Sequence, residues 1–195
     1  MKSLVLCWVV AALTLFSLGA CSRDPKERAA KSLKAGQQYY GAGKHQEALV
    51  ELRNATQSDP QSAKARYELG RTYLAVGNLR SGLTELQEAV KLQPDYWDAQ
   101  IELGSVYIAR REYDQAGASL RKVLAAQPGN ALAHAVLAQM HGAMADLPSA
   151  KAELKKAIAL APNRVDFYGA LVKVRTARVV QRASPQPSVR EDGCP

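Results

Sequence analysis

The chain has 195 residues, a formal net charge of +8 and 47% hydrophobic residues. That length suits one elongated domain and leaves no room for a second globular unit. Its 3 cysteines, Cys7, Cys21 and Cys194, lie towards the two ends and exclude an internal disulfide framework.

Residues 1–20 read as a leader. Met1-Lys2-Ser3 gives a positive start, and Leu4 to Leu18 is an apolar run too short to span a bilayer comfortably. The run closes on Leu18-Gly19-Ala20-Cys21, which resembles the bacterial lipoprotein box. The resemblance implies cleavage before Cys21, a diacylglycerol group on its thiol and an acyl group on the new amino terminus. More than one acyl chain gives stable anchoring where one would be marginal. Ser22, in place of an aspartate, points to the outer membrane of a Gram-negative cell, facing the periplasm. An ordinary cleaved signal peptide or an uncleaved anchor is the plainer alternative. Residues 21–28 then form a short polar tether.

From there the chain repeats itself. Pro60, Pro94, Pro128 and Pro162 stand 34 residues apart. A fixed period of this length marks stacked copies of one supersecondary unit, none of which can bury its apolar face alone. Counting back from each proline, Leu52, Leu86, Leu120 and Leu154 align, as do Ala48, Gly82, Ala116 and Ala150, and Gly36, Gly70, Gly104 and Ala138. Small residues let two helices approach, and the leucines fill the gaps. Spacings of three, four and seven keep the apolar positions on one helical stripe. Each proline stops a second helix, because it lacks an N–H and biases its predecessor away from helical dihedrals. The pattern predicts an all-α chain of four helix-turn-helix units, 29–62, 63–96, 97–130 and 131–164. A helix over 165–182 would cover the last core with a polar outer face, and 183–195 is a tail unlike a folded segment.

The columns closely resemble the tetratricopeptide repeat. The aromatic usual early in the first helix is replaced by Ser32, Arg66, Gln100 and His134, and His141 stands where Tyr39, Tyr73 and Tyr107 stand in the other copies. The resemblance implies a right-handed superhelix, an α-solenoid, whose concave groove is lined by the first helix of each unit. By register the groove would present Leu33, Gln37 and Tyr40; Lys64, Tyr67, Arg71 and Leu74; Asp98, Ile101, Ser105 and Ile108; and Leu132, Ala135 and Gln139. Apolar anchors mixed with amides suit an extended peptide or a partner helix. About half of these side chains are expected to serve helix packing instead. Tyr67→Ala with Arg71→Ala is expected to abolish capture and leave the helical circular dichroism unchanged.

No catalytic constellation accompanies the repeats. There is no nucleophile elbow, phosphate-cradling glycine loop or zinc-protease helix, so neither an enzyme nor a cofactor is expected. His134 and His141 lie seven apart and lack the spacing of paired metal ligands, so packing is preferred and no metal is expected. Glu85 and Glu88 read as solvation of an outer face. Near the C-terminus Lys173, Arg175, Arg178 and Arg182 form a basic patch. A solvated outer face explains it most simply; contact with anionic lipid, polysaccharide or an acidic partner is the functional reading. The export signal argues against nucleic acid.

Taken whole, the chain is similar to bacterial tetratricopeptide lipoproteins, of the pilotin-like kind or the kind associated with exosortase and exopolysaccharide export. The second likeness rests on Cys21-Ser22-Arg23-Asp24-Pro25 with Gly36, Tyr39, Gly43, Glu47-Ala48, Arg53-Asn54-Ala55 and Asp59-Pro60. It implies a lipid-anchored scaffold that holds a protein partner in pilus, secretion or exopolysaccharide machinery, with a small-molecule substrate not expected. The alternative is an envelope protein whose basic end holds anionic polysaccharide or peptidoglycan.

Overall fold

The computed structural model describes residues 24–183, with side chains through 176. These residues are helical throughout, joined by short turns: α1 (Pro25–Gly41), α2 (His45–Ser58), α3 (Ala63–Ala75), α4 (Leu79–Leu92), α5 (Trp97–Ala109), α6 (Tyr113–Ala126), α7 (Ala131–Ala143), α8 (Leu147–Leu160) and α9 (Val165–Ala183). The first helix begins inside the stretch read as a tether. Asp24 explains this: its carboxylate accepts the Lys26 N–H at 3.0 Å, and Pro25 occupies the first helical position. The fold divides between Gln93 and Pro94 into two compact units, the first built from two helix pairs and the second from two helix pairs and α9.

Within every pair the turn is the same. The N–H groups of Lys44, Asn78, Glu112 and Asp146 donate to the carbonyls of Tyr39, Tyr73, Tyr107 and His141 over 2.8 to 2.9 Å. One residue earlier, Gly43, Gly77, Arg111 and Ala145 close the inner bond and take a left-handed conformation, with φ of 73°, 80°, 63° and 61°. This double-bonded helix end satisfies the last carbonyls and reverses the chain at once, so each pair is an antiparallel hairpin. It also explains the column that ends in His141. The turn uses the backbone carbonyl there and accepts any ring.

The period is kept equally well at the far end of each pair. Asp59, Gln93, Gln127 and Ala161 precede the four prolines, and each ends its helix with φ between −131° and −140°. That is the extended conformation a following proline imposes. Ser62 and Asn130 then cap α3 and α7, their side-chain oxygens accepting the N–H groups of Ala65 and Ala133 at 3.2 and 2.9 Å.

Packing follows the small and large columns. Leu52, Leu86 and Leu120 are fully buried. A methyl added at Gly36 would sit 2.5 Å from Leu52 Cγ, and one at Gly70 would sit 2.9 Å from Leu86 Cγ. Gly82, where the other copies hold alanine, is explained by its neighbour. A Cβ there would lie 2.5 Å from Leu74 Cδ2 and 3.1 Å from the Gly70 carbonyl oxygen. The first unit gathers Ala48, Leu49, Leu52 and Leu69 into a core, flanked by Leu33, Tyr40, Tyr73 and Val76. The second gathers Ile101, Ile108, Leu120, Val123, Val136 and Met140, flanked by Trp97, Tyr107 and Tyr113.

The final helix differs from the cap expected of it. Phe167 is buried, and α9 packs against α8. Its outer side nevertheless exposes Val165, Tyr168 and Val172. The reason is register: Tyr168 and Val172 continue columns that in earlier copies face the second helix of the same pair.

Candidate partner-binding site

In the first unit, residues expected to line a groove are bound to one another. The Arg71 guanidinium lies 4.9 Å from the Tyr40 ring centroid and 5.4 Å from that of Tyr67. Its Nη1 also contacts Glu68 Oε2 at 3.3 Å, while Glu68 Oε1 accepts a bond from Gln37 Nε2 at 2.7 Å. Gln37 and Arg71 are one period apart in sequence, and Glu68 joins them. Sequence reasoning missed Glu68, which is buried; the available signal was an acid three residues before Arg71 on the same helix face. Tyr67 is buried as well, so replacing Tyr67 and Arg71 would loosen the unit and is no clean probe of capture. Leu74 fills space beside Gly82 and Leu33 flanks the core. Of these groove residues Lys64 alone is fully exposed.

In the second unit the expected groove splits in two. Ile101 and Ile108 are 3% and 6% exposed and belong to the core. Ser105 turns its hydroxyl inward, donating to the Ile101 carbonyl at 3.3 Å. Leu132, Ala135 and Gln139 instead come together with α9 in an open cleft of about 440 Å³. Val136 and Leu154 form its floor, and Phe167, Ala170 and Val174 its far wall, with Asp166 and Lys173 at the rim. An apolar concavity with a few polar groups at its edge is the usual form of a site that takes a side chain or short peptide.

A second cleft of about 510 Å³ lies in the first unit, lined by Glu27, Arg28, Lys31, Ser32, Glu51 and Asn54. Its walls are charged and polar, so an apolar anchor would gain little there. In the basic patch, Lys173 and Arg175 are exposed. Arg178 and Arg182 lie on α9 beyond the described side chains, and Cys21 lies outside the described residues.

His134, read as a packing residue, is held by polar contacts. Nε2 donates to the Pro128 carbonyl at 3.1 Å, and Nδ1 lies 2.6 Å from Glu153 Oε2. Burial alone would push the Glu153 carboxyl up, but hydrogen bonds from Lys156 and His134 outweigh it and hold the group below its ordinary value. Two periods earlier, Arg66 bonds Glu85 at the same register over 2.8 Å. Glu85 is therefore a half-buried partner of Arg66 and does not serve as surface solvation, whereas Glu88 pairs with Lys91 at the exposed face. Among the described residues no three His, Cys, Asp or Glu side chains are grouped to hold a metal ion.

With the geometry in place, the comparisons define the class. Residues 67–131 match a tetratricopeptide repeat model and residues 36–77 match a TPR repeat model. Residues 36–131 thus match tetratricopeptide repeats. Among solved structures it is similar to MamA (residue 41 to the end) from Desulfovibrio magneticus RS-1, at 21% identity and a TM-score of 0.67, covering 80% of this chain and 88% of that one. It is also similar to PilF of Pseudomonas aeruginosa, at 18% identity and a TM-score of 0.70, covering 80% and 71%. A chain of the Cut9–Hcn1 hetero-tetramer of the APC/C aligns at 19% identity and a TM-score of 0.69, covering 75% of this chain and 29% of that one. At these identities the likeness is one of fold. No curated protein sequence matches the chain.

Proposed function

We propose that this chain is a lipid-anchored scaffold that holds a protein or peptide partner within a cell-envelope assembly or export machine, such as pilus, secretion or exopolysaccharide machinery. The observation that carries the binding half is the cleft among α7, α8 and α9, where Leu132 is exposed beside apolar walls and Gln139 offers an amide. An amphipathic helix or extended peptide could seat one or two apolar side chains there and bond the amide. The anchoring half rests on Leu18-Gly19-Ala20-Cys21 and on Ser22, which favours the outer membrane. Repeats of this kind act mainly by presenting surfaces to other proteins. Nothing in the chemistry of the cleft resembles a reactive centre.

Photo-crosslinking from position 139 of the anchored chain tests the reading. A specific envelope protein should be captured, and Leu132→Glu should abolish that capture while the helical signal persists. Capture that survives Leu132→Glu sinks the cleft. A chain whose Cys21 takes up no fatty acid sinks the anchor. The second reading, an envelope protein that binds anionic polysaccharide or peptidoglycan, is favoured by the exposure of Lys173 and Arg175. Retention on purified polymer without any captured protein would decide for it.

A further inference from the structure

The outer side of α9 carries an apolar stripe among polar residues. Val165, Tyr168 and Val172 are 82%, 43% and 57% exposed, spaced three and four residues apart on one stripe. In the repeat register Tyr168 and Val172 continue the columns of His134 and Ala138. His134 faces Glu153 on the second helix of its own pair, and the small-residue column seats that helix's leucine. On α9 these columns meet no second helix among the described residues. One period on from Ala150, Leu154 and Ala157 stand Ser184, Ser188 and Glu191, which lie outside the described residues.

Two features choose among possible occupants. First, a leucine-bearing helix docks only where the facing residue is small. An added Cβ at Gly36, Gly70 or Gly104 already falls 2.5 to 3.1 Å from the facing leucine, and Val172 projects further than any of them. A partner helix with a leucine in the usual position would therefore meet Val172 where the earlier repeats offer glycine or alanine. Second, the stripe is flanked by cations. Lys173 and Arg175 are exposed, while Asp166 is neutralised by Arg164 through bonds of 2.9 and 2.7 Å. A second copy of α9 would bring like charges together. A carbohydrate polymer would satisfy the cations and leave the valines in water.

We propose that the outer face of α9 docks on an anionic bilayer surface, its valines and tyrosine entering the headgroup boundary and its cations meeting lipid phosphates. This face shares only Lys173 with the rim of the α7–α9 cleft, and the contact does not depend on acylation. A flat, deformable surface needs no small residue opposite Val172.

The test uses the full chain carrying Cys21→Ser, co-sedimented with vesicles of phosphatidylcholine alone or with roughly one third phosphatidylglycerol. Binding to the anionic vesicles should be about tenfold stronger. Arg175→Glu, which lies off the cleft, should remove most of that preference, and Val172→Glu should weaken binding to both vesicles without changing the helical signal. Equal binding to the two vesicles, or binding indifferent to both variants, overturns the proposal. So does a dimer in sedimentation that Val172→Glu dissolves, or retention on soluble anionic polysaccharide that Val172→Glu leaves intact. None of these outcomes touches capture at Leu132, so the two readings fail separately.

Discussion

The second and fourth repeats bridge their two helices at the same register with different chemistry. Arg66 reaches Glu85 over 2.8 Å in the first unit, and His134 reaches Glu153 over 2.6 Å in the second. The units diverge further one turn along. The first places Arg71 between two tyrosines and on Glu68, where the second has Ser105 bonded to its own helix. Repeats therefore conserve positions and exchange the forces that act at them. The first unit adds a partly buried charged set at Arg71 to its leucine core, where the second unit places isoleucine, valine and methionine.

Removing one member of the charged set should have the largest effect. Arg71→Ser leaves the buried Glu68 carboxylate without its cation and two rings without their stacking partner. We expect a loss of about 2 kcal/mol in denaturant unfolding followed by circular dichroism. Ser105→Ala, one period away, should cost less than about 0.5 kcal/mol, because the hydroxyl bonds only a carbonyl of its own helix. Equal losses at the two sites would erase the contrast.

The turns offer a comparison of opposite sign. The first unit places glycine at its two left-handed positions, Gly43 and Gly77, whereas the second forces Arg111 and Ala145 into the same conformation. A side chain in that region costs roughly 1 kcal/mol, so Arg111→Gly and Ala145→Gly should each raise stability by up to about that amount. Gly77→Ala should lower it. A thermal melt that moves the same way for all three would refute the account.

The smallest expected effect is confined to acid. Glu153 titrates below its ordinary value of 4.5 in the fold, so its contribution is complete above that pH and fades as pH falls through the lowered value. Glu153→Gln should therefore flatten the acid limb of the stability profile and change little near neutrality. An unchanged limb would place the acid sensitivity elsewhere.

The period, the small and large columns and the stopping role of the prolines were legible in the sequence because each depends on one residue type at one spacing. Relations between columns were not. Ile101 and Gln139 occupy related groove registers, yet one is core and the other lines a cleft, and this is decided by what packs beside each. Glu85 looked like solvation because nothing local distinguishes it from Glu88; its partner Arg66 is 19 residues away. The polar outer face expected of α9 failed for a related reason. Its cations are easy to count, but the exposure of Val165, Tyr168 and Val172 depends on what packs beside the helix, and among the described residues no second helix covers that side.

The paired ends of each repeat also limit how such a chain can change over time. The helix-ending residue before each proline and the left-handed residue in each turn are fixed by backbone dihedrals, so they hold phase much as teeth hold a belt. Gaining or losing one residue within a helix would turn the side chains beyond it in that helix by about 100° and move a leucine such as Leu86 or Leu120 off the core face. Single-residue drift is thus penalised within every helix that bears a buried leucine, while duplication or deletion of a complete 34-residue unit disturbs only its neighbours. Lineages carrying this chain should differ by whole steps, with the side chains on each step free to specialise.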